Sequence, residues 1–330
     1  MRVLSITAVI LPVLISFIFI LDANIILYIS DALRYNPPSL ESTFGQKRII
    51  ISGASSGIGA SIAHQLCTQT SAHLILVARR RDKLEELATT CPDRSSIAIL
   101  PLDVTTNIDE IVTQSGDVDI LILNAGRFSE VSALEESTTQ LKGIIDLNLI
   151  SSINLATSIM KHNRWEEKKK GHIVVTSSLA GKLGTPISAS YAASKHALHG
   201  YFASMRAEYS PWLRIDIVCP GPVATDIFSL SNRPEDKKSI VQVPGTMMST
   251  KRATRLILST MMGKPVFLFR ETWICKYLSL MVVYLGTYTP NLYGFVSVIM
   301  DPIIMKNYHN GDGFGFEFLD PAYWIGGETL

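Results

Sequence analysis

The chain has 330 residues, 47% of them hydrophobic and 18% charged, with a formal net charge of +1. That composition supplies a sizeable core and is too apolar for a disordered chain. With no basic domain and no basic helix interleaved with aromatics, it argues against a nucleic-acid-binding protein.

Val3 to Leu21 is apolar apart from Ser5, Thr7 and Ser16, with Pro12 inside it, and apolar character resumes from Ile25 to Ile29. About twenty such residues cross a bilayer as a helix, so residues 1–30 are expected to be a single-pass membrane anchor. A cleaved signal peptide is the competing reading; its apolar region is shorter, about 7–15 residues, and ends in a small-residue cleavage site. Arg2 and the amino terminus precede the span, and Asp22 and Asp31 follow it. That asymmetry favours a cytoplasmic N-terminus and a luminal body, although Arg34 and Lys47 dilute it. No Asn-x-Ser/Thr sequon marks a luminal segment. Residues 31–46, with Asn36-Pro37-Pro38, read as a linker to a body spanning 47–270.

The body opens on an apolar strand, Lys47 to Ile51, then Ser52-Gly53-Ala54-Ser55-Ser56-Gly57-Ile58-Gly59, then a helical pattern from Ala60 to Gln69. Strand, glycine turn and helix start form the context in which backbone N–H groups and the helix dipole hold a pyrophosphate. The spacing G-x-x-x-G-x-G differs from the usual dinucleotide fingerprint, and the loop alone could be a glycine-rich turn without a ligand. A second strand, His73 to Ala78, ends in Arg79-Arg80-Arg81, with no acid before Asp82. An acid at this place holds the ribose hydroxyl of NAD, whereas arginine accommodates the 2′-phosphate of NADP. NADP(H) follows, unless the arginines only begin a solvated helix. The third strand, Ile97 to Leu102, ends at Asp103 and Val104; the fourth, Val118 to Leu123, ends in Asn124-Ala125-Gly126. A helix from Ser137 to Lys161 carries Asn148 within an apolar stretch, where an unpaired amide would cost about 1–3 kcal/mol. Asn148 must bond backbone or order water.

The fifth strand begins at Ile173 and ends near Ser178, and a Gly/Pro-containing loop leads into a helix with Tyr191 and Lys195. Positions i and i+4 share one helix face, so the phenol and the ammonium can point into one cleft. A nearby cation favours a phenolate and lowers the pKa of the phenol from about 10. With eleven tyrosines in the chain, Tyr-x-x-x-Lys alone is near its chance frequency and could be a pair on a solvated face. The sixth strand, Arg214 to Cys219, breaks at Pro220-Gly221-Pro222 and continues to Thr225; a helix from Ser249 to Met262 and a strand from Pro265 to Phe269 follow. Seven strands separated mostly by helices predict an α/β fold, a Rossmann-like doubly wound parallel sheet with its ligand crevice at the carboxyl ends of the strands.

Residues 271–330 form an apolar extension and a Gly-rich tail from Gly311. Substrate-cleft cover, a dimer contact and a membrane-surface helix fit the extension equally. Cys67, Cys91, Cys219 and Cys275 show no paired or metal-binding spacing and read as buried or incidental thiols. His196 and His199 flank the Tyr/Lys pair without a third ligand, so no metal site is expected.

In this order and spacing, the glycine loop from Ser52 to Gly59, Asn124-Ala125-Gly126, Asn148, Ser178, Tyr191-Ala-Ala-Ser-Lys195 and Pro220-Gly221-Pro222-Val223-Ala224-Thr225 resemble the short-chain dehydrogenase/reductases, specifically those with an extended, membrane-anchored N-terminus. The resemblance implies an NADP(H)-dependent oxidoreductase on the endoplasmic reticulum membrane, interconverting a carbonyl and an alcohol on a lipophilic substrate such as a steroid or retinoid. It implies Tyr191 as the acid/base, Lys195 as the cation that lowers its pKa and holds the nicotinamide ribose, Ser178 on the carbonyl oxygen, and Asn148 holding a relay water. Cofactor contacts are implied at Ser52, Gly53, Ser55, Ser56, Gly57, Ile58, Gly59, Arg79, Arg80, Asp103, Val104, Asn124, Ala125, Gly126, Tyr191, Lys195, Pro220, Gly221, Val223 and Thr225. A homodimer through two long helices is also implied. Two departures stand out: the frequent leading Thr of the glycine motif is Ser52, and the first Asn of Asn-Asn-Ala-Gly is Leu123. A catalytically idle NADP-binding scaffold and a secreted soluble enzyme are the alternatives.

Overall fold

A computed structural model describes residues 39–229, 231, 247–263, 271–275, 283–284 and 286–287. The expected anchor at 1–30, the run Pro265–Phe269 and most of 271–330 lie outside them. Met1–Pro38 forms a unit separate from Ser39–Leu330, and only the second is described below.

Seven strands, β1 (Arg48–Ser52), β2 (His73–Val77), β3 (Ile97–Leu100), β4 (Ile120–Leu123), β5 (Gly171–Thr176), β6 (Leu213–Pro220) and β7 (Glu271–Ile274), form one sheet in the order β3-β2-β1-β4-β5-β6-β7. Every neighbouring pair is parallel. A parallel sheet is covered on both faces, so its inner strands are continuous apolar runs rather than alternating ones. Ile49, Ile50 and Ile51 are all fully buried, and Ile50 pairs with Ile75 on one side and Leu121 on the other. The seventh strand lies at Glu271–Ile274, beyond the run expected from sequence, so the sheet extends past residue 270. Thr272, Trp273 and Ile274 are buried, the β-branched and aromatic composition of a covered strand.

The helices are α1 (Leu40–Phe44), α2 (Gly57–Gln69), α3 (Arg81–Thr89), α4 (Ile108–Ser115), α5 (Thr138–Ile145), α6 (Ser151–His162), α7 (Trp165–Lys168), α8 (Ala189–Glu208) and α9 (Thr250–Met262). Within the stretch expected to be linker, α1 buries Phe44 completely, because Glu41 ties it to the backbone and hydroxyl of Ser71. A capping box between Ser137 and Gln140 starts α5. The single helix expected there is interrupted at Asn148 by a π turn, Asp146–Ile150, before α6. Residues Thr138–His162 are, among the described residues, the one helical run long and apolar enough to cross a membrane; its Leu155, Ala156 and Ile159 are buried inside the body.

Two of the four cysteines are not thiols. Cys67 near the end of α2 and Cys91 just after α3 form a disulfide, with their Cα atoms 5.5 Å apart. No sequence spacing announced the pair. Only Cys219 and Cys275 remain as free, buried thiols among the described residues. Cross-linking residues separated by 24 positions removes denatured-state freedom amounting to roughly 3–4 kcal/mol. The double substitution C67S/C91S is therefore expected to lower the melting temperature by several degrees, read by thermal scanning with and without reductant. Equal melting of both forms would show that the cross-link adds no stability.

The chain runs outward through β1, β2 and β3, then returns to place β4 on the other side of β1. That reversal leaves a crevice beyond the carboxyl ends of β1 and β4.

Candidate active site

The loop after β1 and the loop after β4 close one wall of this crevice. Ser52 Oγ donates to Ile122 O at 3.3 Å and accepts from the backbone N–H groups of Asn124 at 2.9 Å and Ala125 at 3.1 Å. Asn124 Nδ2 returns to Ser52 O and Gly53 O at 3.3 and 3.4 Å. The hydroxyl common to Ser and Thr is thus a structural bond between two loops. At Gly59, a Cβ would lie 2.4 Å from Gly53 O and 2.5 Å from Asn124 Nδ2, so no side chain fits. Gly57 has φ +57° and faces the Thr225 side chain. Ser56 precedes α2 without a capping bond from its side chain, so the helix start keeps N–H groups for an anion. Val104 is buried, and Ile58 packs partly buried against the core.

Three arginines follow β2, and they part company. Arg80 donates from Nη2 to Ser55 Oγ at 3.0 Å and Ser56 Oγ at 2.8 Å, which lays its guanidinium along the glycine loop. Arg79 faces Asp103 at 3.7 Å and is mostly exposed. Arg81 starts α3 and pairs with Glu85 on the solvated face. The donor set of loop N–H groups, two serines and Arg80 fits a dinucleotide bearing an extra phosphate.

On the opposite wall, α8 carries Tyr191 and Lys195. Lys195 is buried; its Nζ donates to Thr176 O, at the end of β5, at 2.9 Å and lies 5.7 Å from the Tyr191 ring centroid. Ser178, next but one after Thr176, hydrogen-bonds the Tyr191 phenol and caps the turn Leu179–Gly181, accepting from Ala180 N at 3.2 Å. Asn148 projects from the π turn. Its Oδ1 accepts from Arg127 N at 2.9 Å, and its Nδ2 donates to Arg127 O at 3.0 Å and Ser194 Oγ at 3.1 Å. The Asn148 amide therefore bonds backbone, as one of its two expected options. Gly126 separates it from Lys195: a Cβ there would be 3.2 Å from Asn148 Oδ1 and 3.6 Å from Lys195 Nζ. Tyr191, Lys195 and Asn148 are thus buried close together, with Ser178 half-buried beside the phenol. Burial pushes the Tyr191 phenol above its ordinary value, opposed by the Ser178 hydrogen bond; burial also pulls Lys195 down to about 8. Sequence reasoning expected the ammonium to lower the phenol, whereas here the ammonium engages Thr176 O and desolvation of the ring dominates.

β6 and the loop after it close the third side. Pro220 pairs with Ile274, Gly221 donates its N–H to Ile274 O at 2.8 Å, and Val223 bridges Met248. Reading by motif missed two groups of residues. Phe128 and Phe228 belong to no motif, yet Phe128 meets the Tyr191 ring edge-on at 4.9 Å and Phe228 at 5.3 Å. Glu271, in the displaced seventh strand, reaches His199, whose Nδ1 lies 3.1 Å from its carboxylate. His199, Cys219 and Glu271 approach as a potential ligand set. The imidazole, however, turns one nitrogen to Glu271 and the other to Ser177 and Cys219, so these contacts are hydrogen bonds on opposite ring edges rather than a chelate.

The short chain dehydrogenase family matches residues 47–236. Human dehydrogenase/reductase SDR family member 7 is 32% identical over 276 residues, covering 79% of this chain and 79% of that protein. The 11-beta-hydroxysteroid dehydrogenase-like 3 protein of Arabidopsis thaliana is 39% identical over 193 residues, 55% of this chain and 60% of that one. A short-chain dehydrogenase from Streptomyces avermitilis shares the fold with a TM-score of 0.65 at 24% identity, over 78% of this chain and 98% of its own. With its match over residues 47–236 and its similarity over 79% of its length to a dehydrogenase/reductase, the chain belongs to the short chain dehydrogenase family and is an oxidoreductase.

Proposed function

We propose that the protein is an NADP(H)-dependent enzyme interconverting a carbonyl and an alcohol on a lipophilic substrate, such as a steroid or retinoid. The observation that carries this reading is the Tyr191 phenol hydrogen-bonded to Ser178 above buried Lys195. In reduction, the Tyr191 O–H hands its proton to the carbonyl oxygen; in oxidation, the phenolate takes it from the alcohol. Ser178 O–H steadies that oxygen as its charge changes. Lys195 keeps a positive charge beneath the phenol and is within reach of a ribose, and Asn148, its amide tied to Arg127 and Ser194, fixes the wall beside Lys195. NADPH supplies the hydride.

A phenol held above its ordinary pKa stays protonated at neutral pH, the form reduction needs. The cleft is apolar: Phe128, Ala180, Ala192 and Phe228 are buried around Tyr191, with Ile227 and Met247 packed against them. Such a wall takes rings and aliphatic chains and gives little to a sugar or an acid. An anchor at 1–30 would hold the chain at a membrane, where apolar substrates collect. The Cys67–Cys91 disulfide supports a body on the oxidising, luminal side of the endoplasmic reticulum. Leu141, Ile150 and Tyr201 are large apolar residues exposed on the α5–α6 run and α8, which supports a homodimer through these helices.

The test is turnover of a panel of lipophilic ketones, aldehydes and alcohols by the full chain in detergent, with NADPH and NADH side by side. We expect reduction with NADPH in preference to NADH. A chain that binds NADPH and turns over nothing in the panel would favour the scaffold alternative.

A further inference from the structure

Behind the proposed acid/base group lies a second polar chain, buried at Ser177 and half-buried at Glu271 and Lys182. Ser177 Oγ is 2.9 Å from His199 Nε2 and 3.2 Å from Lys195 O. His199 Nδ1 is 3.1 Å from Glu271 Oε2. Glu271 also accepts from Lys182 Nζ at 2.7 Å and from Trp273 Nε1. The turn Leu179–Gly181 is pressed against this chain, for a Cβ on Gly181 would fall 2.8 Å from both His199 Nε2 and Ser177 Oγ. Four elements therefore meet at one imidazole: the end of β5, the turn after it, α8 and β7.

We infer that Glu271, His199 and Ser177 form a positioning relay: the carboxylate orients the imidazole, the imidazole orients the Ser177 hydroxyl, and Ser177 holds the turn from which Ser178 meets Tyr191. The inference rests on the function proposed above for Ser178 and Tyr191. Its logic follows from donors and acceptors. Glu271 is held ionised, down at about 2, with His199, Lys182 and Trp273 all donating to it against the cost of burial. A ring nitrogen facing a carboxylate must be the donor, so Nδ1 carries the proton. Burial lowers the proton affinity of His199, opposed by Glu271. In the neutral ring, Nε2 is an acceptor and takes the Ser177 O–H. Protonation of His199 reverses that bond: Nε2–H becomes the donor, and the Ser177 hydrogen must turn to Lys195 O.

The groups facing His199 decide how costly that reversal is. Glu271 on β7 favours the added proton; Lys182 after β5 and His196 on α8 oppose it. Lys195, one helical turn away, adds a buried cation, and Cys219 on β6 presents a thiol at 3.7 Å. Fully satisfied networks of this kind fix geometry, and half-satisfied ones release it. The relay therefore adds an acid limb to turnover, below the ordinary histidine value.

Two measurements on the full chain in detergent test it. The first needs no turnover: ¹⁵N spectra of histidine-labelled protein, with His199 identified by its loss in His199→Gln, should show a neutral ring protonated on Nδ1 near pH 7.5. A ring protonated on Nε2 alone, or one already charged at that pH, overturns the relay. The second is the pH profile of kcat. His199→Gln keeps an acceptor at the Nε2 position and cannot titrate, so it should retain most of the neutral rate and lose the acid limb. His199→Ala should lower kcat about tenfold through misplacement of the turn while KM for NADPH stays within about twofold. A His199→Gln profile superimposable on that of the unaltered chain would overturn the relay. If the unaltered chain turns over nothing, the reaction reading fails, and the spectra still decide whether the relay exists.

Discussion

Replacing Tyr191 with Phe is expected to lower kcat by about 10²- to 10⁴-fold, the range set by a positioned proton donor, while NADPH binds nearly as before. The ring fills the same space, so its edge-on contact with Phe128 at 4.9 Å survives and the fold is undisturbed. Only the hydroxyl goes, and with it the bond to Ser178 and the proton for the substrate oxygen. Binding by tryptophan quenching or calorimetry, beside turnover, separates the two effects. Retention of most activity would remove Tyr191 from the acid/base role. The unaltered chain should also lose reductase activity as pH rises through about 8, where Lys195 gives up its charge. The Tyr191 phenol, held above its ordinary value, is still protonated there, so the alkaline limb belongs to the lysine.

How much of this was legible in the sequence depends on how local the signal was. The glycine loop, Asn124-Ala125-Gly126 and the Tyr191/Lys195 pair are short-range patterns, each fixed by one turn or one helix face; the two loops follow the carboxyl ends of β1 and β4, and Lys195 reaches from α8 to the end of β5. The existence of the first six strands followed from apolar runs broken by helices. The seventh did not, because Glu271-Thr272-Trp273-Ile274 begins with two polar residues and only its pairing with β6 marks it as a strand; the expected run Pro265–Phe269 lies outside the described residues. The disulfide was invisible because Cys67 and Cys91 lie 24 positions apart and are brought together only by the tertiary fold, with no spacing that marks them. The same is true of Glu271 and His199, which lie far apart in the chain and meet across β7 and α8. The direction of the Tyr191 shift was misjudged for a related reason: helix spacing brings Lys195 to the same face, but burial and the competing carbonyl of Thr176 are tertiary facts.

Arg80→Ala is expected to raise KM for NADPH by about 10- to 100-fold, with kcat nearly unchanged and KM for NADH within about threefold. Hydrogen bonds to a charged group contribute about 1.5–3 kcal/mol each, and every 1.4 kcal/mol is about tenfold in affinity. The sequence offered three arginines, with Arg79 and Arg80 both implied as cofactor contacts. The geometry separates them: Arg80 is held by Ser55 and Ser56 at the lip of the glycine loop, where the phosphate-bearing ribose of a bound dinucleotide would lie. Arg79 spends its charge on Asp103 at 3.7 Å and stands largely in solvent, where a cation is screened and contributes little. Arg79→Ala is accordingly expected to change KM for NADPH by no more than about threefold. Initial rates of the two variants with each cofactor, alongside NADPH dissociation constants from calorimetry, distinguish the roles. Equal losses with NADPH and NADH in Arg80→Ala would mean that Arg80 only shapes the loop through its serine bonds. A larger effect at Arg79 than at Arg80 would move the phosphate site to the Asp103 side of the crevice.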